Sequence, residues 1–310
     1  MSPKPPSPRS VAQELRTLRD LLRYAVSCFN AAGLVYGHGT ATARDEAAFM
    51  VLEGLHLPID ELEPFLDARL TAQEREHLAE LIEARVATRK PAPYLLKRAY
   101  VGGVPFRVDE RVIVPRSYIG ELLRGELFGG ETSALIGDPR RFRRVLDLCT
   151  GSGCLAVLAA LAFPEAEVDA VDLSASALEV ARVNVEEHGL AGRIRLLEGD
   201  LFAPVAEERY DLILSNPPYV DAEAMASLPP EYRHEPALAL AGGADGLDVV
   251  RRILAELPAH LAPGGGLLCE IGRGGERLEA EFSHLPFLWL DTEGSEGEVF
   301  WLAPHNQLMD

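Results

Sequence analysis

Among its four cysteines, Cys28, Cys149, Cys154 and Cys269, the sequence has no Cys-x-x-Cys pair. A zinc site therefore has no support, and no metal is expected. Three of the four lie in apolar runs and read as core thiols, which fits a reducing, cytoplasmic home. No apolar run is long. The longest, Cys154 to Phe163, falls far short of the ~20 residues that span a bilayer, so no membrane association is expected. The first residues, Met1 to Ser10, are rich in proline and serine and have no apolar stretch. They read as a disordered tail over 1–9 rather than a signal peptide. Basic residues are few: 30 Lys and Arg stand against 48 Asp and Glu, a formal net charge of −18. Such a field does not attract a nucleic-acid backbone, so DNA is an unexpected partner and a basic protein a natural one. There is no internal repeat.

A chain of 310 residues with 47% apolar content can build two cores. Residues 10–92 read as a small helical domain. Ser10 and Gln13 have capping-box spacing, and Val11, Leu15, Leu18, Leu22, Ala25 and Phe29 share one helical face up to Gly33. Thr42 with Asp45 opens a second helix to about Leu55, and Thr71 with Glu74 a third that ends before Pro91. Residues 93–141 change character. Ala99 to Val108 around Gly102-Gly103 looks like a hairpin, Arg111 to Pro115 continues extended, and Tyr118 to about Phe128 is helical. Residues 129–141 read as a linker.

From 142 to 310 strands and helices alternate. Strands are expected at 145–148, 167–172, 194–197, 211–215, 266–271, 287–290 and 298–302, and helices at 154–163, 176–188 and 247–261. This pattern implies an α/β domain with a parallel sheet covered by helices on both faces. Ligands on such sheets bind at the carboxyl ends of the strands.

Four loops at those ends carry chemistry. Asp147-Leu-Cys-Thr-Gly151-Ser-Gly153-Cys154 lets the backbone pass close to a ligand. Ala156 stands where a dinucleotide fingerprint needs its third glycine, which favours a nucleoside over a pyrophosphate site. A tight turn without ligand is the alternative. Asp172 closes the second strand, about 20 residues on, where an acid can accept from both ribose hydroxyls. It could instead cap the next helix, although Ser174 can serve there. Asp169 reads as solvated surface. Asp200, in Gly199-Asp-Leu-Phe202, could accept from an adenine amine with Leu201 or Phe202 on the ring, or be a plain turn residue. Asn216-Pro217-Pro218-Tyr219 follows the fourth strand. Its two prolines lock the backbone and remove two donors while leaving fixed carbonyl acceptors. The Asn216 oxygen is a further acceptor and Tyr219 a flat face. A planar –NH2 group is thereby gripped with its lone pair aimed at a methyl donor.

These motifs in this order resemble class I S-adenosylmethionine-dependent methyltransferases of amino groups, with a Rossmann-like fold. Within them the chain resembles the HemK-like peptide glutamine methyltransferases, whose layout is a small helical domain, a β-hairpin linker and a catalytic domain. Val35-Tyr-Gly-His-Gly-Thr40, Val114-Pro-Arg-Ser117, the Asp147–Cys154 loop and Tyr232-Arg-His-Glu-Pro236 are similar to the subgroup acting on the third large-subunit ribosomal protein. Cys149 replaces the glycine usual in the wider family, as it does in that subgroup. The resemblance implies S-adenosyl-L-methionine at Asp147, Cys149, Thr150, Gly151, Gly153, Asp172, Leu173, Asp200, Leu201 and Asn216. It implies catalysis by Asn216, Pro217, Pro218 and Tyr219, and substrate contacts from Asn216, Pro217, Tyr219 and Arg116. The helical domain would recognise a basic ribosomal protein, free or in an assembling large subunit. Rival readings are a release-factor glutamine methyltransferase, a nucleic-acid amino methyltransferase and a non-catalytic docking module.

Three features stay outside this scheme. His38 and His234 read as packing or surface histidines, with a base role as the alternative. Arg140, Arg141, Arg143 and Arg144 form a basic run that reads as a solvated linker or an RNA contact. Gly242-Gly-Ala-Asp-Gly246 reads as the turn before a helix.

Overall fold

A computed structural model describes residues 8–125, 138–292 and 294–303. The expected tail lies outside the described residues except for 8 and 9, as do most of the linker and the end of the helix placed at 118–128. The chain divides into two compact units. One comprises residues 1–98 with 229–234, the other 99–228 with 235–310.

The first unit is helical: α1 (Pro8–Glu14), α2 (Leu18–Ala32), α3 (Ala43–Gly54), α4 (Ala72–Thr88) and α5 (Ala92–Leu96). The apolar stripe from Val11 to Phe29, expected on one helix, is split. Thr17 accepts from the Asp20 N–H while the Asp20 carboxylate accepts from the N–H groups of Thr17 and Arg16. That capping box starts a new helix inside the stripe, and α1 begins before the Ser10 cap that the spacing suggested. Thr42 and Thr71 do cap α3 and α4. Leu18, Leu21, Phe29, Met50 and Leu78 build the core.

A buried ionic cluster also belongs to this unit. The Arg85 guanidinium, wholly buried, donates from Nε to Glu46 Oε1 at 2.8 Å. Glu231, also wholly buried, pairs with Arg89 at 2.8 Å and accepts from the Val35 N–H at 3.1 Å. His38 is buried with its ring 4.3 Å from that of Tyr232, and His234 Nε2 meets the Thr88 carbonyl at 3.0 Å. Both histidines sit in packing or backbone contacts within this unit. The two signature stretches Val35–Thr40 and Tyr232–Pro236 therefore meet through Tyr232.

The second unit opens with a hairpin of β1 (Ala99–Val101) and β2 (Val104–Phe106), then α6 (Tyr118–Arg124). Its sheet holds β3 (Arg144–Leu148), β4 (Glu167–Asp172), β5 (Ile194–Glu198), β6 (Tyr210–Ser215), β7 (Leu261–Glu270), β8 (Leu288–Leu290) and β9 (Val299–Leu302). Their order is β5-β4-β3-β6-β7-β9-β8. The first five run parallel, and β9 and β8 are antiparallel to their neighbours. The sheet is mixed rather than all parallel, because β9 returns directly between β7 and β8. Helices α7 (Cys154–Ala162), α8 (Ala175–Glu187), α9 (Ala222–Ser227), α10 (Asp248–His260) and α11 (Gly275–Glu281) complete the unit. Alternate strand residues feed two cores: Val145, Leu212 and Leu268 enter one with α7, while Leu146, Ile213 and Leu267 enter the other with α10.

Asp169 is a correction to the sequence reading. It is buried, and its carboxylate accepts from Arg195, Arg144 and the Tyr210 hydroxyl. Three arginines of the basic run pair with acids, Arg140 with Asp138, Arg143 with Glu165, and Arg144 with Glu208 and Asp169, while the Arg141 guanidinium lies over the Phe142 ring at 4.8 Å. Among the described residues no helix is long and apolar enough to cross a membrane.

Candidate active site

Strand order reverses between β3 and β6, so the loops leaving these strands splay apart and leave a crevice at their carboxyl ends. Leu148 and Ser215 are register partners there, and the Ser215 hydroxyl donates to the Leu148 carbonyl at 3.1 Å. A cavity of about 270 Å³ occupies this point. Its wall includes Cys149, Gly151, Asp172, Leu173, Asp200, Leu201, Asn216 and Pro218. It also includes residues that the sequence reading missed, among them Arg111, Ile113, Leu238 and Arg252.

The loop after β3 is held in left-handed backbone. Cys149 has φ 60°, Gly151 φ 55° and Gly153 φ 77°. For cysteine that conformation costs about 1 kcal/mol, which is why glycine suits the position. Gly153 serves packing instead: an added Cβ would stand 3.1 Å from that of Ala181, so α7 and α8 approach closely. Leu201, with φ 48°, is the second strained side chain in the cavity wall. Strain of this kind gathers where the backbone is shaped for a ligand.

Asp172 accepts from the Gly151 N–H and the Ser174 N–H, both at 2.8 Å, while Ser174 caps α8. Burial raises its pKa against the pull of these bonds. Asp200 is paired with Arg252 at 2.8 Å. Phe202 is buried and stacked on His260, centroids 4.3 Å apart, and takes no part in the wall. Asp147 is wholly buried and outside the wall. Its Oδ2 accepts from the Thr150 hydroxyl and the Ala156 N–H, tying the loop to the first turn of α7. Burial pushes its carboxyl up to about 7. Thr150 and Gly153 lie outside the wall as well.

The Asn216–Tyr219 loop is braced from behind. Val220 donates to the Leu240 carbonyl and Gly242 to that of Val220, both at 2.8 Å. A Cβ on Gly242 would stand 2.7 Å from the Pro218 oxygen and the Tyr219 Cα, and one on Gly246 would meet the Tyr219 oxygen. The glycine-rich turn read as a helix lead-in is thus the bed of this loop. Asn216 and Pro218 face the cavity, but Pro217 is buried and Tyr219 is not in the wall. The Tyr219 ring lies against Gly272, and its hydroxyl donates to Glu270 Oε1 at 3.0 Å. That face opens on a second cavity of about 560 Å³ with Asp221, Asp245, Arg273 and Arg277. Asn216 and Tyr219, expected to grip one group together, line different cavities. Arg116, expected at the substrate, pairs with Glu235 instead.

A family model described as the methyltransferase small domain matches residues 133–228. The ribosomal protein uL3 glutamine methyltransferase of Bradyrhizobium diazoefficiens is 62% identical over 94% of this chain and 91% of its own length. The chain belongs to this glutamine methyltransferase family. The enzyme of the same name from Bordetella pertussis is 55% identical over 94% of this chain and 96% of its own. That of Burkholderia pseudomallei is 53% identical over 92% and 94%. A member of the glutamine methyltransferase family at this identity is an enzyme, and the docking-module alternative falls. The crevice at the β3–β6 reversal lies within its class I α/β unit.

Proposed function

We propose that the enzyme transfers a methyl group from S-adenosyl-L-methionine to the side-chain amide nitrogen of a glutamine in ribosomal protein uL3. The single observation that carries this is Asn216 in the wall of the cavity that also holds Asp172 and Asp200. Near-full-length identity to uL3 methyltransferases supports the target, and the net charge of −18 suits a basic protein. The partner is that protein, in the cytoplasm where ribosomes assemble.

The residues present fit the cofactor. Asp172 offers carboxylate lone pairs toward ribose hydroxyls. Gly151 keeps the wall open in a left-handed backbone, φ 55°, that other residues rarely adopt, and Val171, Leu201 and Val249 supply apolar walls for a base. When bound, the cofactor supplies a methyl group on a sulfonium. The chain's part is to orient the acceptor. The Asn216 oxygen accepts from the amide N–H, and the prolines keep that oxygen fixed. Positive charge grows on the amide nitrogen as its lone pair forms the new bond, so a fixed acceptor favours the transition state over the ground state. No dedicated base is needed, since the methylated nitrogen is acidic and loses its proton to solvent.

Asn216→Ala should lower single-turnover methylation of purified uL3 by ~100- to 1,000-fold while the cofactor still binds in calorimetry. Wild-type turnover by this variant, or an inert wild type, would overturn the reading.

A further inference from the structure

Glu270 closes β7 and is 1% exposed. Among the described residues, every hydrogen bond its carboxylate accepts comes from the Val114–Ser117 signature or its neighbour Tyr118, or from the Asn216–Tyr219 loop. Oε2 accepts from the Ser117 hydroxyl at 2.7 Å and from the Tyr118 N–H at 3.0 Å. Oε1 accepts from the Tyr219 hydroxyl at 3.0 Å. Among the described residues no ion pair reaches Glu270, and Arg116, beside Ser117 in the chain, pairs with Glu235. Burying a carboxylate without its own counter-ion is expensive, and an amide or an apolar residue would serve a plain core better. A group retained at that cost between two loops, with one oxygen for each, has a positioning task.

We infer that Glu270 is a positioning residue: through the Tyr219 hydroxyl it sets the orientation of the Tyr219 ring, and with it the Asn216–Tyr219 loop, for methyl transfer. The inference rests on assigning methyl transfer to that loop. Gly272 contributes by leaving room for the ring, since a Cβ there would stand 2.9 Å from two ring carbons.

The device is sensitive to protonation. Burial raises the Glu270 carboxyl to about 7, opposed by the bonds from Ser117, Tyr219 and Tyr118, with Glu298 adding to the rise. The other titratable groups facing the pair are Tyr118, Arg116, Cys269 and Cys154. Burial and Glu270 drive the Tyr219 phenol upward, so it remains a donor. Ionised Glu270 accepts all three hydrogen bonds. Protonated at Oε1, it turns that oxygen from acceptor to donor toward the Tyr219 hydroxyl, which must then rotate.

The test compares wild type, Glu270→Gln, Tyr219→Phe and the double variant. Two quantities are read: kcat and KM on uL3 against pH, and the pH titration of the Tyr219 ring by NMR on carbon-labelled tyrosine. In wild type, kcat should fall as pH drops through about 7, with the Tyr219 signal moving at the same midpoint. Glu270→Gln should lose ~10- to 100-fold in kcat, keep KM, and show flat profiles in both measurements. Tyr219→Phe should flatten the kcat profile too, and the double variant should lose no more than the worse single. A Glu270→Gln enzyme with the wild-type kcat profile overturns the inference, as does a wild-type Tyr219 signal that does not titrate. An inert wild type with a titrating Tyr219 signal counts against the assigned reaction, and the NMR result still decides whether Glu270 governs the ring.

Discussion

Arg116 reaches Glu235 with both terminal nitrogens, Nη2 lying 2.8 Å from Oε2, across 119 residues of chain. Glu235 is shut off from solvent at its side chain and also accepts from the Val114 N–H at 2.9 Å. The pair fastens two of the signature stretches to each other within the α/β unit. Arg116→Ala should therefore lower unfolding free energy by about 3–5 kcal/mol, because it strands a buried carboxylate. Urea denaturation measures this. Unchanged stability with a raised KM for uL3 would instead mark Arg116 as a direct substrate contact.

Glu231 plays a comparable part in the helical unit. After residue 98 the chain returns to that unit for residues 229–234, and Glu231 holds it there through Arg89 and the Val35 N–H, with Arg85 at 4.0 Å. Glu231→Ala leaves Arg85 and Arg89 short of an anion and should cost about 3–5 kcal/mol. Glu231→Gln keeps an acceptor for Val35 and should cost less. Hydrogen exchange at Val35 and along α4 reports the loss locally. Exchange rates equal to wild type in the Ala variant would show that the segment is anchored by other contacts.

Asp147 makes stability depend on pH in the sense opposite to a salt-bridged acid. Burial raises its folded pKa from the ordinary carboxylate range to about 7, so between roughly pH 4 and 7 the native state holds a proton that the unfolded chain has released. Its stabilising contribution is complete below about pH 4 and is lost as pH rises through about 7. Asp147→Asn removes this dependence. The difference in unfolding free energy between variant and wild type should move in the variant's favour by a few kcal/mol at most from about pH 4 to 8. Glu270 titrates in both proteins and drops out of the difference. A difference constant with pH would show that Asp147 stays ionised throughout.

Much of this was legible in the chain because it is local. The alternation from β3 onward located the seven strands and the helices α7, α8 and α10, since side-chain periodicity is imposed by burial on each element separately, but it gave no sign of the short α9 and α11 and began β7 five residues late. Asp172, Gly151, Asp200 and Asn216 were found because a loop leaving a strand end must carry its chemistry within a few positions, and they do share one cavity wall. The break at Thr17 was missed although its capping box is local, because the apolar stripe continues unbroken across it. Other features had no local trace. Asp169 looked like surface until Arg195 and Tyr210 closed over it. Tyr219 looked like a partner of Asn216 until Glu270 and Gly272 drew its ring to another cavity. The acids that brace the fold, Glu231, Glu235 and Glu270, stand 196, 119 and 153 residues from the groups they hold at Val35, Arg116 and Ser117. Sequence by itself determined the fold class, the family and the loops that meet at the cavity. Only the tertiary structure decided which acids are buried and what they hold, because a contact between distant residues is set by how the elements pack and leaves no spacing to read.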